Sequence, residues 1–289
     1  MPSISLIVCL KQETDLLARL LQACCGCYDE LIVVHAGPNK TAPAVREIAS
    51  YYHGHYLARP HLGYQEYHWP FAWSKAQYDW ILRLDVDELP TPSMVEWLQR
   101  FRKSASSPKN VSIYTCIWPL WNGRKNLTSR WPRDRIFLFN RNTVRFFAIP
   151  EQTPIPDGTC VSIDVVLNHH PHRKSFGFYN VLVRHQAYIW RRIIARSLLR
   201  NPTDLPCWRW TEPSWPKGWR QLRSQPLLTG CKRLLKWPVE TVGAMIRHGE
   251  FPFPGAVYNA GLNYFLLSID IAFLKFANRL NRFSKGPTL

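Results

Sequence analysis

The chain has 289 residues, of which 46% are hydrophobic and 20% are charged. This composition predicts a globular protein and excludes a disordered chain and a polytopic membrane protein. The formal net charge of +17 is uneven, because residues 1–170 hold 18 basic against 15 acidic side chains and residues 171–289 hold 19 against 5. The basic part suits a nucleic acid or an anionic membrane surface, with a merely solvated basic face as the alternative.

The first half of the sequence alternates between strand and helix patterns. Apolar runs of strand length occur at residues 3–10, 30–37 and 54–59, and amphipathic helices are predicted between them at 14–24 and 41–52. We expect Thr14 to cap the first helix. The β-α-β-α-β order that results predicts a parallel sheet.

The stretch WILRLDVDELPTP, residues 80–92, leads from an apolar strand directly into three acidic side chains. Side chains alternate along a strand, so Asp85 and Asp87 are predicted to point to the same side, ~7 Å apart along the chain. A hard divalent cation would relieve their repulsion at the carboxyl end of the strand, where open α/β sheets bind ligands. The alternative is a polar turn in which Glu88 and Pro90 are ordinary turn residues.

Beyond this motif the pattern becomes less regular. A helix is predicted at 92–103, followed by strands at 111–118, 134–140, 144–149 and 159–170, so we expect a mixed sheet. Helices are predicted at 175–199, 226–246 and 256–280, with a Trp- and Pro-rich stretch at 201–219. The chain is therefore predicted to divide into an α/β domain, residues 1–174, and a helical region, residues 175–289.

The helical region raises the question of a membrane. Residues 256–276 are long enough to cross a bilayer, but Asn259, Asn263 and Asp270 would each be unfavourable in hydrocarbon, so an interfacial or core helix is favoured. Tryptophans interleaved with Arg and Lys indicate an interfacial belt, and ordinary packing under a Pro-rich loop is the equal alternative. The tryptophans concerned are Trp208, Trp210, Trp215, Trp219 and Trp237. No nucleic-acid-binding motif accompanies them, so a nucleic-acid partner is not expected.

The cysteines and the first residues indicate the compartment. The spacing of the eight cysteines completes no zinc site. The opening MPSISLIVCLKQE has no basic leader region or cleavage site, and its apolar run is shorter than the ~20 residues that span a bilayer. Both features favour the reducing cytoplasm.

Several short segments together carry a resemblance to a known family. They are SLIVCLKQE (5–13), DELIVVHAG (29–37), YDWILRLDVDEL (78–89), RDRIFLFNR (133–141), IPEQTPIPDG (149–158) and LNHH (167–170). As a set they resemble bacterial family 2 glycosyltransferases of the GT-A fold, particularly the lipopolysaccharide-core type that transfers glucose and related sugars. The resemblance implies a Rossmann-like, mostly parallel or mixed sheet that binds a nucleotide-sugar in residues 1–174, followed by a helical extension.

The resemblance also implies roles for the acidic motif. In the family, the D-x-D pair binds Mg²⁺ or Mn²⁺ and the sugar-nucleotide diphosphate, and it corresponds here to Asp85 and Asp87. A divalent ion stabilises the charge that the nucleoside diphosphate gathers as the glycosidic bond breaks. Asp87 is expected to be the direct ligand and Asp85 to share the ion or hold the ribose, while Glu88 orients them.

Further site residues follow from the same comparison. Glu151 stands where the family has a His-Glu or similar pair and is expected to be the catalytic base, with an exposed loop acid as the alternative. Arg135 matches a family arginine that contacts diphosphate or acceptor. His169 or His170 is expected to supply a third metal ligand or to touch phosphate, although a lone histidine is usually structural.

Some family positions are altered. Lys11, Gln12 and Glu13 stand where the family commonly has Asn-Glu-Glu, and His35 stands where an aspartate grips the nucleobase. Lys11 and His35 are therefore candidate donor-binding residues of changed chemistry. These changes favour, as the alternative function, a catalytically weakened member that acts as a binding or scaffold protein.

Taken together, the sequence predicts a metal-dependent, inverting glycosyltransferase. The expected partners are a nucleotide-sugar donor, a lipid-linked or lipopolysaccharide-type glycan acceptor and an anionic membrane surface. The expected location is the cytoplasm, peripheral to the inner face of the plasma membrane. A nucleic-acid-binding protein is a second alternative, which rests on charge alone.

Overall fold

A computed structural model describes residues 1–105, 110–121, 124–170, 185–251 and 254–284. The chain splits into two compact units. The first comprises Met1–Lys174 and Pro206–Arg209, and the second comprises Ser175–Leu205 and Trp210–Leu289. Residues 175–184 of the predicted helix at 175–199 lie outside the described residues.

The first unit contains strands and helices in the alternating order predicted from its sequence. Its strands are β1 (Ile4–Leu10), β2 (Glu30–His35), β3 (His55–Ala58), β4 (Trp80–Arg83), β5 (Glu88–Pro90), β6 (Val111–Ile117), β7 (Arg135–Asn140), β8 (Val144–Phe147), β9 (Ile155–Pro156), β10 (Thr159–His169) and β11 (Cys207–Trp208). Its helices are α1 (Thr14–Ala23), α2 (Ala42–Tyr51), α3 (Trp69–Lys75) and α4 (Pro92–Lys103), with 3₁₀ turns at Asn39–Thr41, Gln65–His68 and Arg141–Thr143.

Eight of these strands form one sheet in the order β3-β2-β1-β4-β7-β6-β10-β5. β1 pairs in parallel with β2 and β4, β2 with β3, and β6 with β10, while β7 is antiparallel to both of its neighbours. β1, β2 and β4 are buried along their whole length, and their apolar side chains form a core with residues of α1, α2 and α4. The predicted α/β class with a mostly parallel, mixed sheet is thus confirmed.

The predicted capping role of Thr14 is wrong. The helix α1 begins at Thr14 itself, and Glu13 occupies the N-cap position. The Glu13 carboxylate instead accepts the backbone N–H groups of Lys11 at 3.1 Å and Gln12 at 2.8 Å. The Glu13 side chain therefore bonds to the loop after β1, and the N-cap position lies one residue earlier than predicted.

The predicted geometry of the acidic motif is also wrong. β4 ends at Arg83, so Asp85 and Asp87 do not alternate along a strand. The chain turns here, and the Glu88 N–H donates to the Asp85 carbonyl oxygen at 2.9 Å. Glu88 is not an ordinary turn residue, because it begins β5, which pairs antiparallel with β10 at the end of the sheet. A strand at the sheet edge tolerates proline, so Pro90 is compatible with it.

The tryptophans at 208, 210 and 215 pack inside the protein. β11 pairs with β8, and Trp208 Nε1 donates to the Arg141 carbonyl oxygen at 2.7 Å. Trp210 and Trp215 are buried, and their Nε1 atoms donate to the carbonyl oxygens of Glu212 at 2.7 Å and Arg200 at 3.0 Å. For these three residues ordinary packing is the correct interpretation, whereas Trp237 is 38% exposed.

The second unit is helical. Its helices are α5 (His185–Ser197), α6 (Lys217–Ser224), α7 (Pro226–His248) and α8 (Pro254–Ser284), with a 3₁₀ turn at Pro202–Asp204. α7 and α8 approach closely, because a Cβ atom at Gly230 would lie 2.1 Å from Ser268 Oγ. Asp270 of α8 pairs with Arg191 of α5 at 3.4 Å. Among the described residues no helix has the length and apolar character that crossing a membrane requires.

Candidate active site

The sheet topology brings distant residues of the sequence to one edge. β1, β2 and β4 are parallel, so their carboxyl ends lie at the same edge. β7 runs in the opposite direction beside β4, which places its first residue, Arg135, at that edge. β6 and β10 run opposite to β7, so His169 at the end of β10 also reaches it. The candidate residues Asp85, Asp87 and Glu88 follow β4 at this same edge.

Arg135 joins two of the predicted acids into one network. Its Nη2 atom donates to Glu88 Oε2 at 2.6 Å and to Asp85 Oδ2 at 3.0 Å. Glu88 Oε2 also accepts the backbone N–H of Asp85 at 2.9 Å, and Gln65 Nε2 donates to Asp85 Oδ1 at 2.9 Å. Burial disfavours the charge on Asp85, but the positive charges of Arg135 and Arg83 outweigh it and lower the pKa of Asp85. Burial raises the pKa of Glu88.

Arg83 is a site residue that sequence reasoning missed. It is the last residue of β4 and is 2% exposed, with its guanidinium 4.1 Å from the centre of the Trp69 ring. Its Nε and Nη2 atoms have no hydrogen-bond partner among the described residues. Burial, together with the nearby charge of Arg135, lowers its pKa to about 10, which leaves it charged at neutral pH. The available signal was a basic residue inside an otherwise apolar strand.

Asp87 lies beside His169 at the same edge. The distance between Asp87 Oδ2 and His169 Nε2 is 3.3 Å, and the imidazole of His169 stacks on Trp118 with ring centres 4.5 Å apart. The backbone N–H of His170 donates to the Asp87 carbonyl oxygen at 2.8 Å, and its ring packs against Trp121 at 4.2 Å. The two strand-end histidines thus hold the turn that carries Asp87, and His169 is the one whose ring meets the carboxylate.

Glu151 is connected to this network through the loop before α3. Its side chain is exposed, and its backbone N–H donates to Glu66 Oε1 at 2.8 Å. Glu66 follows Gln65, which binds Asp85. Burial raises the pKa of Glu66 to about 7, and although residue 151 is solvent-accessible, desolvation by the surrounding protein also raises the pKa of Glu151. Glu66 and Gln65 were missed because they lie in an aromatic, histidine-rich stretch that has no motif.

Lys11 and His35 lie together at the ends of β1 and β2. His35 is buried, and its Nδ1 lies 3.0 Å from Tyr56 Oη. Its Nε2 lies 3.1 Å from the Lys11 carbonyl oxygen and 3.0 Å from Thr41 Oγ1. Both ring nitrogens therefore have partners within the protein, whereas the Lys11 side chain is exposed. Gly37 permits this packing, because a Cβ atom there would lie 1.5 Å from the Lys11 carbonyl oxygen.

The predicted divalent metal can be tested against these donors. The described residues contain no group of three or more His, Cys, Asp or Glu side chains arranged to hold a metal ion. The Asp85 carboxylate is engaged by Arg135 and Gln65. The Asp87 carboxylate fits an ion such as Mg²⁺, which is held by one or two carboxylates, keeps waters and takes its other ligands from substrate phosphates, and His169 adds a nitrogen donor beside it.

An α/β sheet of this order, with acidic side chains after its fourth strand, has the GT-A Rossmann-like architecture of glycosyltransferases. The chain belongs to glycosyl transferase family 2, whose family model matches residues 5–169. The predicted family is confirmed at this level. No curated protein sequence matches the chain.

Solved structures show weak similarity. The crystal structure of S. aureus TarS has 12% identity and a TM-score of 0.39, over 68% of this chain and 40% of that chain. Its 1–349 fragment has 13% identity and a TM-score of 0.36, over 68% and 65%. A CMP:2-keto-3-deoxy-manno-octonic acid synthetase complexed with CTP has 8% identity and a TM-score of 0.32, over 52% and 60%. The chain thus spans less than two thirds of each of these proteins.

Proposed function

We propose that the protein is an inverting glycosyltransferase that moves a sugar from a nucleotide-sugar donor to a lipid-linked or lipopolysaccharide-type glycan acceptor, with Mg²⁺ or Mn²⁺ as cofactor. The observation that carries the proposal is the difference between the two aspartates. Asp85 is bound by Arg135 and Gln65, whereas Asp87 is presented beside His169 at the carboxyl edge of the sheet. Family membership supports the reaction class.

The donor diphosphate would lie near both acidic and basic side chains at this edge. Asp87 and His169 would hold the cation, which when bound offsets the charge that the leaving diphosphate gathers. Arg135 keeps Asp85 ionised and fixed, so Asp85 is a positioning residue for the turn that carries Asp87. The buried cation of Arg83 adds positive charge beneath Asp85, and desolvated charge of this kind attracts anions more strongly than surface charge does.

Glu151 is the proposed base. Its carboxylate takes the proton of the acceptor hydroxyl while that oxygen forms a bond to the anomeric carbon. The bond from the anomeric carbon to the diphosphate oxygen breaks, and its electron pair leaves with the nucleotide. One displacement from the opposite face inverts the configuration. A base whose pKa is raised towards the working pH suits this role, and desolvation moves the pKa of Glu151 in that direction.

The acceptor class and the location are proposed on other grounds. The resemblance of the sequence motifs to lipopolysaccharide-core enzymes supports the glycan acceptor. The excess of 19 basic over 5 acidic side chains in residues 171–289 supports a peripheral position on an anionic membrane, at the cytoplasmic face.

A donor screen tests this function. Thermal unfolding would be followed with UDP-sugars and GDP-sugars in the presence of Mn²⁺, because a tight ligand raises the unfolding temperature. The stabilising donor would then be offered with a lipopolysaccharide-core oligosaccharide, and NMR would give the anomeric configuration of the product. Inverted product is expected. Donor binding without transfer to any acceptor would favour the scaffold alternative, which the internally bonded His35 supports.

A further inference from the structure

α7 leaves a continuous apolar stripe uncovered. Leu228 is 51% exposed, Leu235 72%, Val239 72%, Val242 45% and Ile246 71%. The intervals between them, seven, four, three and four residues, place all five on one face of the helix. These residues are called the α7 stripe below.

The stripe is not the face by which α7 packs in its own unit. Gly230, Thr241 and Met245 are the buried residues of the helix. Gly230 lies against Ser268 and Phe265 of α8, and Gly261 of α8 lies against Trp237. The contacts at Gly230 and Gly261 fix the rotation of α7, so the stripe is a second apolar face of the same helix.

α8 also exposes apolar side chains. Ile269 is 41% exposed, Phe273 60% and Phe276 61%, again at intervals of four and three residues. Gly230 contacts Ser268 and Gly261 contacts Trp237, so the two helices are antiparallel. Counting about 100° per residue from these contacts, the α8 residues lie roughly 60–140° around their helix and the α7 stripe roughly 120–200° around its own, so the α7 stripe points largely away from α8.

Basic side chains border the α7 stripe. Lys232, Lys236 and Arg247 are exposed. The same helical count places Lys232 in the gap of the stripe between Leu228 and Leu235, and Lys236 and Arg247 beside the stripe. Glu240 pairs with Lys236 at 3.2 Å, but both side chains remain largely in solvent. An apolar face with cations along its border is the pattern of a helix that lies in a membrane interface.

The charge distinguishes lipid from a second copy of this chain. A symmetric dimer through the stripe would bring together two regions that each hold 19 basic and 5 acidic side chains, and like charges oppose that contact. An anionic bilayer offers apolar burial to the stripe and opposite charge to the cations. Lipid is therefore the occupant that satisfies both features.

We propose that the α7 stripe is the surface by which the helical unit docks on anionic lipid. This inference deepens the peripheral location included in the proposed function. It identifies the partner as the headgroup and upper acyl region of an anionic leaflet. It does not depend on which sugar is transferred.

The test uses the full chain and vesicles of phosphatidylcholine with or without phosphatidylglycerol. A triple variant, Leu235→Ser, Val239→Ser and Ile246→Ser, removes apolar surface that is already in water, so folding should be retained. Its partition onto anionic vesicles should fall by about tenfold or more. Lys232→Gln with Lys236→Gln should weaken partition roughly fivefold for each cation and reduce its salt dependence. Tyr51→Ser, at an exposed position of α2, is the matched control and should bind as wild type.

Donor binding by calorimetry on the same variants separates this inference from the proposed function, because the stripe is not assigned to the donor site. Unchanged vesicle binding by the triple variant would overturn the inference. So would light scattering that finds a wild-type dimer and a monomeric triple variant without lipid. Retention in the membrane through alkaline carbonate washing would also overturn it, since an interfacial helix is released.

Discussion

The two units differ in how far they bury their large apolar side chains. In the first unit β1, β2 and β4 are buried along their whole length. In the second unit α7 and α8 expose leucine, valine, isoleucine and phenylalanine along regular helical intervals. The first unit therefore buries the apolar side chains of these strands in its own core and places charged side chains at the edge of its sheet. The second unit presents apolar surface of the kind that marks an interaction site.

The largest expected effect tests the charged edge of the first unit. Asp87→Ala should abolish metal-dependent donor binding and leave the fold intact, because this carboxylate serves a charge that arrives with the ligand. Calorimetry with the donor and Mn²⁺ measures the loss, and circular dichroism checks the fold. Glu96→Ala, on the exposed face of α4, is the control. Unchanged donor affinity in the Asp87 variant would remove the metal assignment.

Glu151→Gln should separate transfer from binding. The amide cannot take a proton, so transfer should fall about 100- to 10,000-fold while donor affinity is retained. In the wild type, transfer should decline on acidification at a higher pH than an ordinary glutamate would give, because the pKa of Glu151 is raised. Steady-state rates across pH, beside Glu96→Gln, provide the measurement. Transfer within a few-fold of wild type would move the role of base to another acid.

Glu88→Ala should destabilise the first unit by about 3 kcal/mol or more, because it leaves the Arg135 guanidinium buried with one fewer acidic partner. Chemical denaturation measures the change in the free energy of unfolding. Adding Arg135→Met removes the stranded charge and should recover part of the loss. If the double variant is no more stable than Glu88→Ala, the network is not a stabilising unit.

Glu66 should make stability depend on pH. Its pKa is raised from 4.5 to about 7 in the folded protein, so the folded state binds this proton more tightly than the unfolded state does. The stabilisation that results is fully present at pH values below the pKa of the unfolded state. That contribution is lost as pH rises through about 7. As the pH rises from the unfolded pKa to about 7, Glu66→Gln should therefore become more stable relative to wild type, by on the order of 2 kcal/mol. Denaturation at several pH values tests the sign, and a constant difference would contradict it.

The last pair of variants compares apolar residues in the two units directly, and its second member has the smallest expected effect. Leu82→Ala, in the buried strand β4, should lower the free energy of unfolding by about 2 to 5 kcal/mol. Leu235→Ala, in the α7 stripe, should change it by no more than about 0.5 kcal/mol. Equal losses measured without lipid would show that the stripe is packed in solution, and the contrast between the units would fail.

The fold could be predicted from local patterns to a large degree. The apolar runs of β1, β2 and β4 and the amphipathic helices between them follow from periodicity, and the predicted helix at 92–103 matches α4. The short strand β11 could not be predicted, because Cys207–Trp208 is stabilised by pairing with a strand far away in the sequence. The aromatic stretch that becomes α3 carried no helix pattern, since its buried face is formed by tryptophan and proline.

The candidate site was predicted only where a motif marked it. Asp85, Asp87 and Arg135 were named from short segments, and the structure brings them to one edge. Gln65, Glu66 and Arg83 were missed because their surroundings are set by tertiary packing against Trp69 and the loop at Glu151. The assigned roles of all these residues, including Lys11, His35 and His170, stay predictions until variants are measured.

The backbone at Glu151 has a consequence for anyone who engineers this protein. Its φ of 63° is in the left-handed region, which disfavours residues with a side chain by about 1 kcal/mol, while glycine adopts it freely. A search for heat resistance would therefore select glycine here and discard the carboxylate in the same step. If Glu151 is the proposed base, a library screened only for melting temperature would therefore enrich protein that has lost transfer activity.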